Sequence, residues 1–324
     1  MWKRYWFLIS LFAIIPVGLA WPEGSDHIKE LGLLPYLVGC MLLISGFTLD
    51  TSRLVSQSLN WKALTLGLSS TYIVAPLFAY GIARVTAPGG LSNLQPGTDA
   101  YLYVEAIMIA AAQSGTLASS IALTNVARGN QELALVLTVA SSALTAFLTP
   151  LVLEISLGAV VALPLANMVQ RMVYVVLVPV IVGQIARRFL WESVKPAMKY
   201  VKIIPQIIIL LFVYRGFGAA ANHLTEDLGR AAHILAVCAA LHGSLIGWTW
   251  ITATLIKVDQ GTKAALVFCG SQKTLPNGIF IWEKFFATNP FGAVPLALYH
   301  LFQLVVDTFL VPWLETKEEE SGGD

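Results

Sequence analysis

The chain has 324 residues, of which 56% are hydrophobic and 12% charged, with a formal net charge of +1 and a mean hydropathy of +0.72. That composition excludes a soluble globular domain and predicts a chain solvated by the lipid bilayer, with no basic surface that would call for nucleic acid. Cys40, Cys238 and Cys269 all fall in apolar stretches, without a CxxC or histidine spacing, so neither disulfide, metal nor cofactor is expected.

Ten apolar stretches, each near the ~20 residues that cross a bilayer, follow in chain order. They cover roughly 4–20, 31–49, 61–84, 101–126, 131–158, 166–189, 201–220, 230–256, 262–286 and 293–314, with short connections and an acidic polar tail over 316–324. Trp2, Tyr5, Trp21, Trp61, Tyr101 and Trp191 stand near span ends as interfacial anchors. With the N-terminus inside, 13 of the 20 basic residues fall on the cytoplasmic side, among them Lys3, Arg4, Arg53, Arg187, Arg188 and Lys317. Six (Lys29, Arg84, Arg171, Arg215, Arg230, Lys284) fall on the other side, and Lys273 lies within a span, so both termini are expected in the cytoplasm. The competing reading of the first span is a signal peptide cleaved near Gly18-Leu-Ala20. A bacterial inner membrane is the expected location.

The halves echo each other. Pro35 and Gly46-Phe47 have the spacing of Pro205 and Gly216-Phe217; Thr116-Leu117 and Ile121 match Thr274-Leu275 and Ile279; Phe147-Leu-Thr-Pro150 matches Phe309-Leu-Val-Pro312. Each match runs from span n to span n+5, and an odd number of spans per repeat inverts the second half. The fold expected is an all-α polytopic membrane protein with ten transmembrane helices in two inverted five-helix repeats.

Such repeats place function where interrupted spans meet near the midplane. Span four carries Gln113, Ser114, Thr116, Ser119 and Ser120; span nine carries Ser271, Gln272, Lys273, Thr274 and Asn277, beside Gly270, Pro276 and Gly278, which break helices. A charge at the bilayer centre costs about 2.5–3.5 kcal/mol, so Lys273 marks a site. Half-helix N-termini and an ammonium together favour a small organic anion as the substrate. In span ten, His300, Gln303 and Asp307 share one helical face, which lines the cavity or satisfies Lys273, with Asp307 as the expected partner of that lysine. Close packing of small residues is the bland reading of Gly115, Ser119 and Ser120. Glu105, Glu154, Arg84, Arg171 and Arg215 read as span-end residues, and His242 as an internally hydrogen-bonded one.

Two segments, Phe268-Cys-Gly-Ser-Gln-Lys-Thr-Leu-Pro-Asn-Gly-Ile279 and Ser119-Ser-Ile-Ala-Leu-Thr-Asn-Val-Ala-Arg-Gly-Asn130, resemble the bile acid/sodium symporter superfamily (solute carrier family 10), in its SBF-like branch with the member 7 type. The resemblance spans essentially the whole chain. It implies a panel domain (1–60 and 161–225, spans 1, 2, 6 and 7) beside a core domain (61–160 and 226–315), with broken spans 4 and 9 crossing in the core. It also implies residual sodium-site positions at Ser120, Thr138 and Gln272. Phe268 stands where sodium-coupled members have a glutamate and Lys273 where they have an asparagine, while Ile121 and Ala134 replace polar residues. A hard cation wants several oxygens and a carboxylate, and an ammonium repels it. The usual two-sodium mechanism is therefore not expected, and Lys273 takes the place of sodium, with a proton on it as the alternative coupling ion. The resemblance also leaves open a regulatory membrane protein affecting calcium homeostasis, or a symporter with rearranged sodium ligands. No protease or nucleophile motif points to an enzyme.

Overall fold

The computed structural model describes residues 2–49, 60–90, 94–158 and 163–316, and the side chains of residues 6, 7 and 9 onward within them. The expectations that rest on Arg53, Lys317 and the acidic tail beyond 316 lie outside the described residues, as do the side chains of Trp2, Lys3, Arg4 and Tyr5. The described chain is all helix: α1 (Trp2–Ala20), α2 (Pro22–Glu30), α3 (Leu34–Thr48), α4 (Trp61–Thr86), α5 (Asp99–Ala111), α6 (Leu117–Val126) and α7 (Gln131–Leu157). Then come α8 (Leu165–Val201), α9 (Ile204–Glu226), α10 (Leu228–Leu255), α11 (Gln260–Ser271), α12 (Leu275–Phe285) and α13 (Ala293–Leu314).

Six of these helices are long and apolar enough to cross a membrane alone, or seven if α2 and α3, bent by 80°, count as one span. With that pair counted, three of the ten expected spans are still missing from the count: the fourth and ninth apolar stretches each divide into two half-helices too short to qualify, and in α1 the apolar part, Ile9–Ala20, is also too short. α2 is a correction to the sequence reading, which placed a connection there. Pro22 at its first position starts it and Ser25 and Asp26 hold it down through Arg215.

Helix starts follow local chemistry. Asn60, Thr98, Asn130, Asp227 and Asp259 each accept a hydrogen bond from the backbone N–H three residues on, capping α4, α5, α7, α10 and α11. Such caps contribute about 1 kcal/mol each. Arg128 and Lys257, at φ 52° and 55°, end α6 and α10 in the left-handed conformation. Two helices carry a π turn, Ser70–Val74 in α4 and Val173–Leu177 in α8, each immediately before an X-Pro pair, Ala75-Pro76 and Val178-Pro179. A proline has no N–H for the carbonyl four residues back and its ring crowds that carbonyl, so the ladder widens.

The ends of the helices sort to two faces. On one, Asn130 N–H donates to the Gly261 carbonyl (3.0 Å) and Thr316 N–H to the Ala127 carbonyl (3.0 Å). On the other, Arg230 meets Asp99 at 3.4 Å and lies over the Phe291 ring, while His233 Nε2 reaches the Thr86 carbonyl at 2.9 Å. The α5–α6 and α11–α12 pairs therefore each run from one face to the other, in opposite directions. α3 packs on α8 and α1 on α9 at glycines: a Cβ on Gly46 would meet the Val180 backbone, and one on Gly18 the Tyr214 carbonyl.

Some expected surface positions are interior. Tyr101 is buried, whereas Trp21 and Trp61 are exposed as anchors should be. Glu105 is buried and accepts from Asn289 Nδ2 at 2.7 Å. Arg215 is buried too, with Glu283 at 2.6 Å and Asp26 at 3.0 Å. Each carries its partner with it, which is what lets a charged side chain leave the interface.

Candidate functional site

The two helix interruptions meet. Residues 112–116 separate α5 from α6 and residues 272–274 separate α11 from α12. Thr274 N–H donates to the Ser114 carbonyl at 2.9 Å, a backbone bond between two broken spans 160 residues apart. Gly115 makes the approach possible, since a Cβ there would stand 2.8 Å from the Cys269 carbonyl oxygen. α6 then packs along α11, and α5 along α12.

Backbone groups freed by a break inside a buried, membrane-spanning segment need partners from the surrounding protein. Gln303 on α13 does this for Lys273: its Oε1 accepts from the Lys273 N–H (2.7 Å) and its Nε2 donates to the Lys273 carbonyl (2.9 Å). His300 Nδ1 lies 3.0 Å from the same Nε2. The Lys273 ammonium donates to the Thr71 carbonyl, in the α4 π turn, at 2.9 Å and to the Gln113 carbonyl, just past the end of α5, at 3.1 Å. A cation at a helix C-terminus complements the negative end of its dipole.

Asp307 is not the partner of Lys273. Its Oδ1 meets His242 Nε2 at 2.9 Å and its Oδ2 accepts from Gln272 Nε2 at 2.6 Å, and both Asp307 and His242 are fully buried. Helix periodicity put Asp307 on the right face, and α10 supplies the imidazole that reaches it. The other His242 nitrogen lies 3.3 Å from the Tyr299 hydroxyl, which donates to the Ser271 carbonyl at 2.8 Å. The Ser271 hydroxyl itself turns back to the Val267 carbonyl.

Gln272 continues the chain. Its Oε1 accepts from the hydroxyls of Thr116, Ser119 (2.7 Å) and Ser120 (2.9 Å), and Thr116 and Ser119 lie 2.5 Å apart. Four neutral oxygens thus converge at the start of α6. Thr138, the third residual sodium-site position, donates instead to the Ala134 carbonyl and is not bonded to this group. Phe268 is fully buried among apolar side chains of α11 and α13.

Thr116 and Thr274, at the N-caps of α6 and α12, accept no side-chain capping bond, as is also the case at the starts of α2, α3, α8, α9 and α13; these two differ in that their uncapped, positive ends both lie at the crossing. Both residues line one cavity of about 30 Å³ with Ser119, Pro276 and His300, closed on the far side by Phe7, Met41 and Ile209 of α1, α3 and α9. Among the described residues Gln113 Oε1, Ser114 Oγ and Asn277 Oδ1 are buried without a hydrogen-bond partner. Unpaired buried oxygens are uncommon and concentrate at working sites.

All twelve residues expected to touch substrate therefore lie at or beside the crossing, although Ser271 contributes its backbone rather than its hydroxyl. Sequence reasoning missed two participants, Tyr299, which adjoins His300, and Thr71, whose one signal was Pro76 five residues later; His242 is internally hydrogen-bonded as expected, with Asp307 as the partner the sequence did not name.

The amino-acid sequence matches the SBF-like CPA transporter family over residues 5–316. The chain belongs to that family. The transporter is 32% identical over 311 residues to the uncharacterized protein PA2026 of Pseudomonas aeruginosa, covering 93% of this chain and 90% of that one. It is 23% identical over 326 residues to sodium/bile acid cotransporter 7 of Danio rerio, covering 97% and 94%. The Xenopus tropicalis protein of the same name is 22% identical over 97% of this chain and 92% of its own. The family is one of membrane transporters rather than enzymes, and the transporter is a multi-pass integral membrane protein.

Proposed function

We propose that the transporter is a secondary active carrier that moves a small organic anion by alternating access at the helix crossing, with Lys273 in place of a bound sodium ion. The observation that carries the proposal is the Lys273 ammonium, tied to the carbonyls of Thr71 and Gln113 where the two broken spans meet. It pins the crossing as a cation would, and adds fixed positive charge beside two open helix N-termini. A proton on Lys273 is then the ion left for coupling.

The architecture behind this reading is ten spans, α2–α3, α5–α6 and α11–α12 each serving as one, in two inverted repeats. It is supported by the pairing of α1 with α9 and of α8 with α3, which are equivalent contacts under a shift of five spans, and by glycine at both crossings. The panel would be α1, α2–α3, α8 and α9, and the core the remainder. A cavity of about 30 Å³ holds little more than one water, so substrate enters only when the panel moves off the crossing. The cytoplasmic placement of both termini and a bacterial inner membrane remain part of this proposal.

A second reading has an observation of its own. The four oxygens of Thr116, Ser119, Ser120 and Gln272, backed by the Asp307 carboxylate, are the kind of ligand a hard cation takes, and the Danio rerio relative is named as a sodium/bile acid cotransporter. Thermal unfolding of the purified protein with a panel of carboxylates, sulfonates and steroid anions, in sodium chloride and in choline chloride, separates the two. Stabilisation by an anion without sodium supports the Lys273 reading; stabilisation by sodium itself supports rearranged sodium ligands. Uptake of the stabilising anion into proteoliposomes tests transport, and its absence with any of these anions would favour the regulatory alternative.

A further inference from the structure

A second, larger cavity lies away from the crossing. It holds about 330 Å³, at the lower end of the roughly 300–1,000 Å³ typical of ligand pockets, and opens on the face that carries α2. Three cations from three elements line it: Lys29 of α2, Arg171 of α8 and Lys284 of α12. None of them has an ion-pair partner among the described residues. The one acid in the lining, Glu283, pairs with Arg215 at 2.6 Å, a cation that also meets Asp26 at 3.0 Å, and Glu283 lies in the field of Lys29 as well, so it offsets part of the charge and leaves the cavity net positive. The rest of the wall is largely apolar, with Phe280 on one side and Tyr174, in the α8 π turn, on the other.

The cavity leads towards the crossing. Phe280 is one turn from Pro276 on α12, and Pro276 lines the small cavity; Pro35 and Met41 relate the two cavities in the same way along α3. At 1.5 Å rise per residue these steps are about 6 Å and about 9 Å. Both cavities therefore lie along one α3–α12 seam.

We propose that the larger cavity is an anion vestibule, in which Lys29, Arg171 and Lys284 concentrate a monovalent organic anion with an apolar body before it reaches the crossing. This rests on the transport reading for what happens afterwards, but the vestibule can be tested without transport. A basic mouth with low-dielectric walls raises the local concentration of anions and lowers that of cations. Aromatic and aliphatic walls take the apolar body, and the three cations outbid any neutral analogue.

The test places a reporter thiol in the cavity. In a Cys40→Ser background, which removes the exposed native cysteine, Tyr174→Cys is reacted in phosphatidylcholine nanodiscs with an anionic sulfonatoethyl and a cationic trimethylammonioethyl methanethiosulfonate. Rates are normalised to those with a free thiol in solution. The anionic reagent is expected to be favoured about tenfold, and the preference to disappear with Lys29→Gln, Arg171→Gln and Lys284→Gln combined, in protein that still unfolds cooperatively. 4-tert-Butylbenzoate should slow the anionic reagent and 4-tert-butylbenzyl alcohol should not. An equal rate for both reagents, no reaction at all, or equal protection by the alcohol overturns the vestibule and leaves the crossing untouched. Loss of the preference when phosphatidylglycerol is added to the nanodiscs, beyond the change seen at a Trp21→Cys reporter on the same face, also overturns it, since the cations then serve lipid headgroups. A failed flux assay with a clear reagent preference would instead count against the transport reading alone.

Discussion

Removing the Lys273 charge while keeping its bulk separates its structural part from its functional one. Lys273→Met takes away two hydrogen bonds from an ammonium, worth about 1.5–3 kcal/mol each, and leaves the Thr71 and Gln113 carbonyls without that donor. It also removes the desolvation cost of a buried ammonium with no carboxylate bonded to it, several kcal/mol of the opposite sign. The two nearly cancel, and Met fills almost the same volume, so unfolding free energy should change by less than about 2 kcal/mol. The anion should notice far more. A unit charge at roughly 7 Å contributes about 2.4 kcal/mol at an effective dielectric near 20, or roughly 50-fold in Kd. Thermal unfolding with and without the anion found in the screen gives stability and affinity from one preparation, and proteoliposome uptake gives the rate. Wild-type uptake and affinity in Lys273→Met would refute the role assigned to the charge. Lys273→Arg should also fail, because a planar guanidinium cannot sit between the two carbonyls as a compact ammonium does.

Gly115→Ala should destabilise the transporter by about 1–3 kcal/mol and reduce uptake, because its Cβ meets the Cys269 carbonyl and pushes the two interruptions apart; an unchanged melting temperature would argue against so close a crossing. Gln272→Glu sets a carboxylate against Asp307, where Gln272 Nε2 now stands 2.6 Å from Oδ2, so the variant should melt lower at pH 8 than at pH 5 relative to wild type. Lys257→Gly should stabilise by up to about 1 kcal/mol in thermal unfolding, since φ is 55° there and glycine adopts that conformation without Cβ strain. At Asp259, partial burial alone would raise the carboxyl pKa, but hydrogen bonds from Thr262 and from the Gly261 backbone outweigh it and hold the pKa below its ordinary value. Its stabilisation is thus fully present above the unfolded pKa of about 3.9 and is lost as pH falls through the lower folded one, so Asp259→Asn should lose less stability than wild type when titrated below pH ~4.

How much of this was written in the sequence depends on the range of the interaction. The apolar spans are local runs, and their helices follow with ends moved by a few residues: the seventh, expected over 201–220, is Ile204–Glu226. The interruptions were legible from Pro276, Gly278 and the hydroxyl-rich Gln113–Ser120, although the chain breaks at 272–274, just before Pro276 starts α12. α2 was not legible, because its polar Ser25-Asp26-His27 reads as a loop until Arg215, 190 residues from Ser25, holds it. Partner choice was the least legible property of all. A helical period places His300, Gln303 and Asp307 on one face, but only the packing of α10 decides that His242 takes Asp307 and that Lys273 goes to two carbonyls instead. The Thr71 carbonyl became available through the π turn before Pro76, a consequence of backbone geometry whose one sequence signal is that proline, and Pro76 does not say which side chain will reach the carbonyl.

A tethered cation has an energetic consequence that a dissolved one does not. Sodium released on the far side brings the free energy of its gradient to each cycle, whereas a lysine that keeps its proton returns unchanged and brings none. Active transport through Lys273 therefore requires the proton to leave with the anion. One proton and one monovalent anion carry no net charge, so uptake should follow an inward proton gradient and ignore membrane potential. Sodium coupling with more than one ion per anion would instead move positive charge, each unit gaining about 2.3 kcal/mol per 100 mV. Proteoliposomes with potential set by potassium and valinomycin distinguish the two without a structure. Uptake of the anion that is insensitive to potential, driven by acid outside and independent of sodium, supports proton return through Lys273. Uptake accelerated by an inside-negative potential only when sodium is present would transfer the coupling to the oxygens of Thr116, Ser119, Ser120 and Gln272, and leave Lys273 as the pin that holds the crossing.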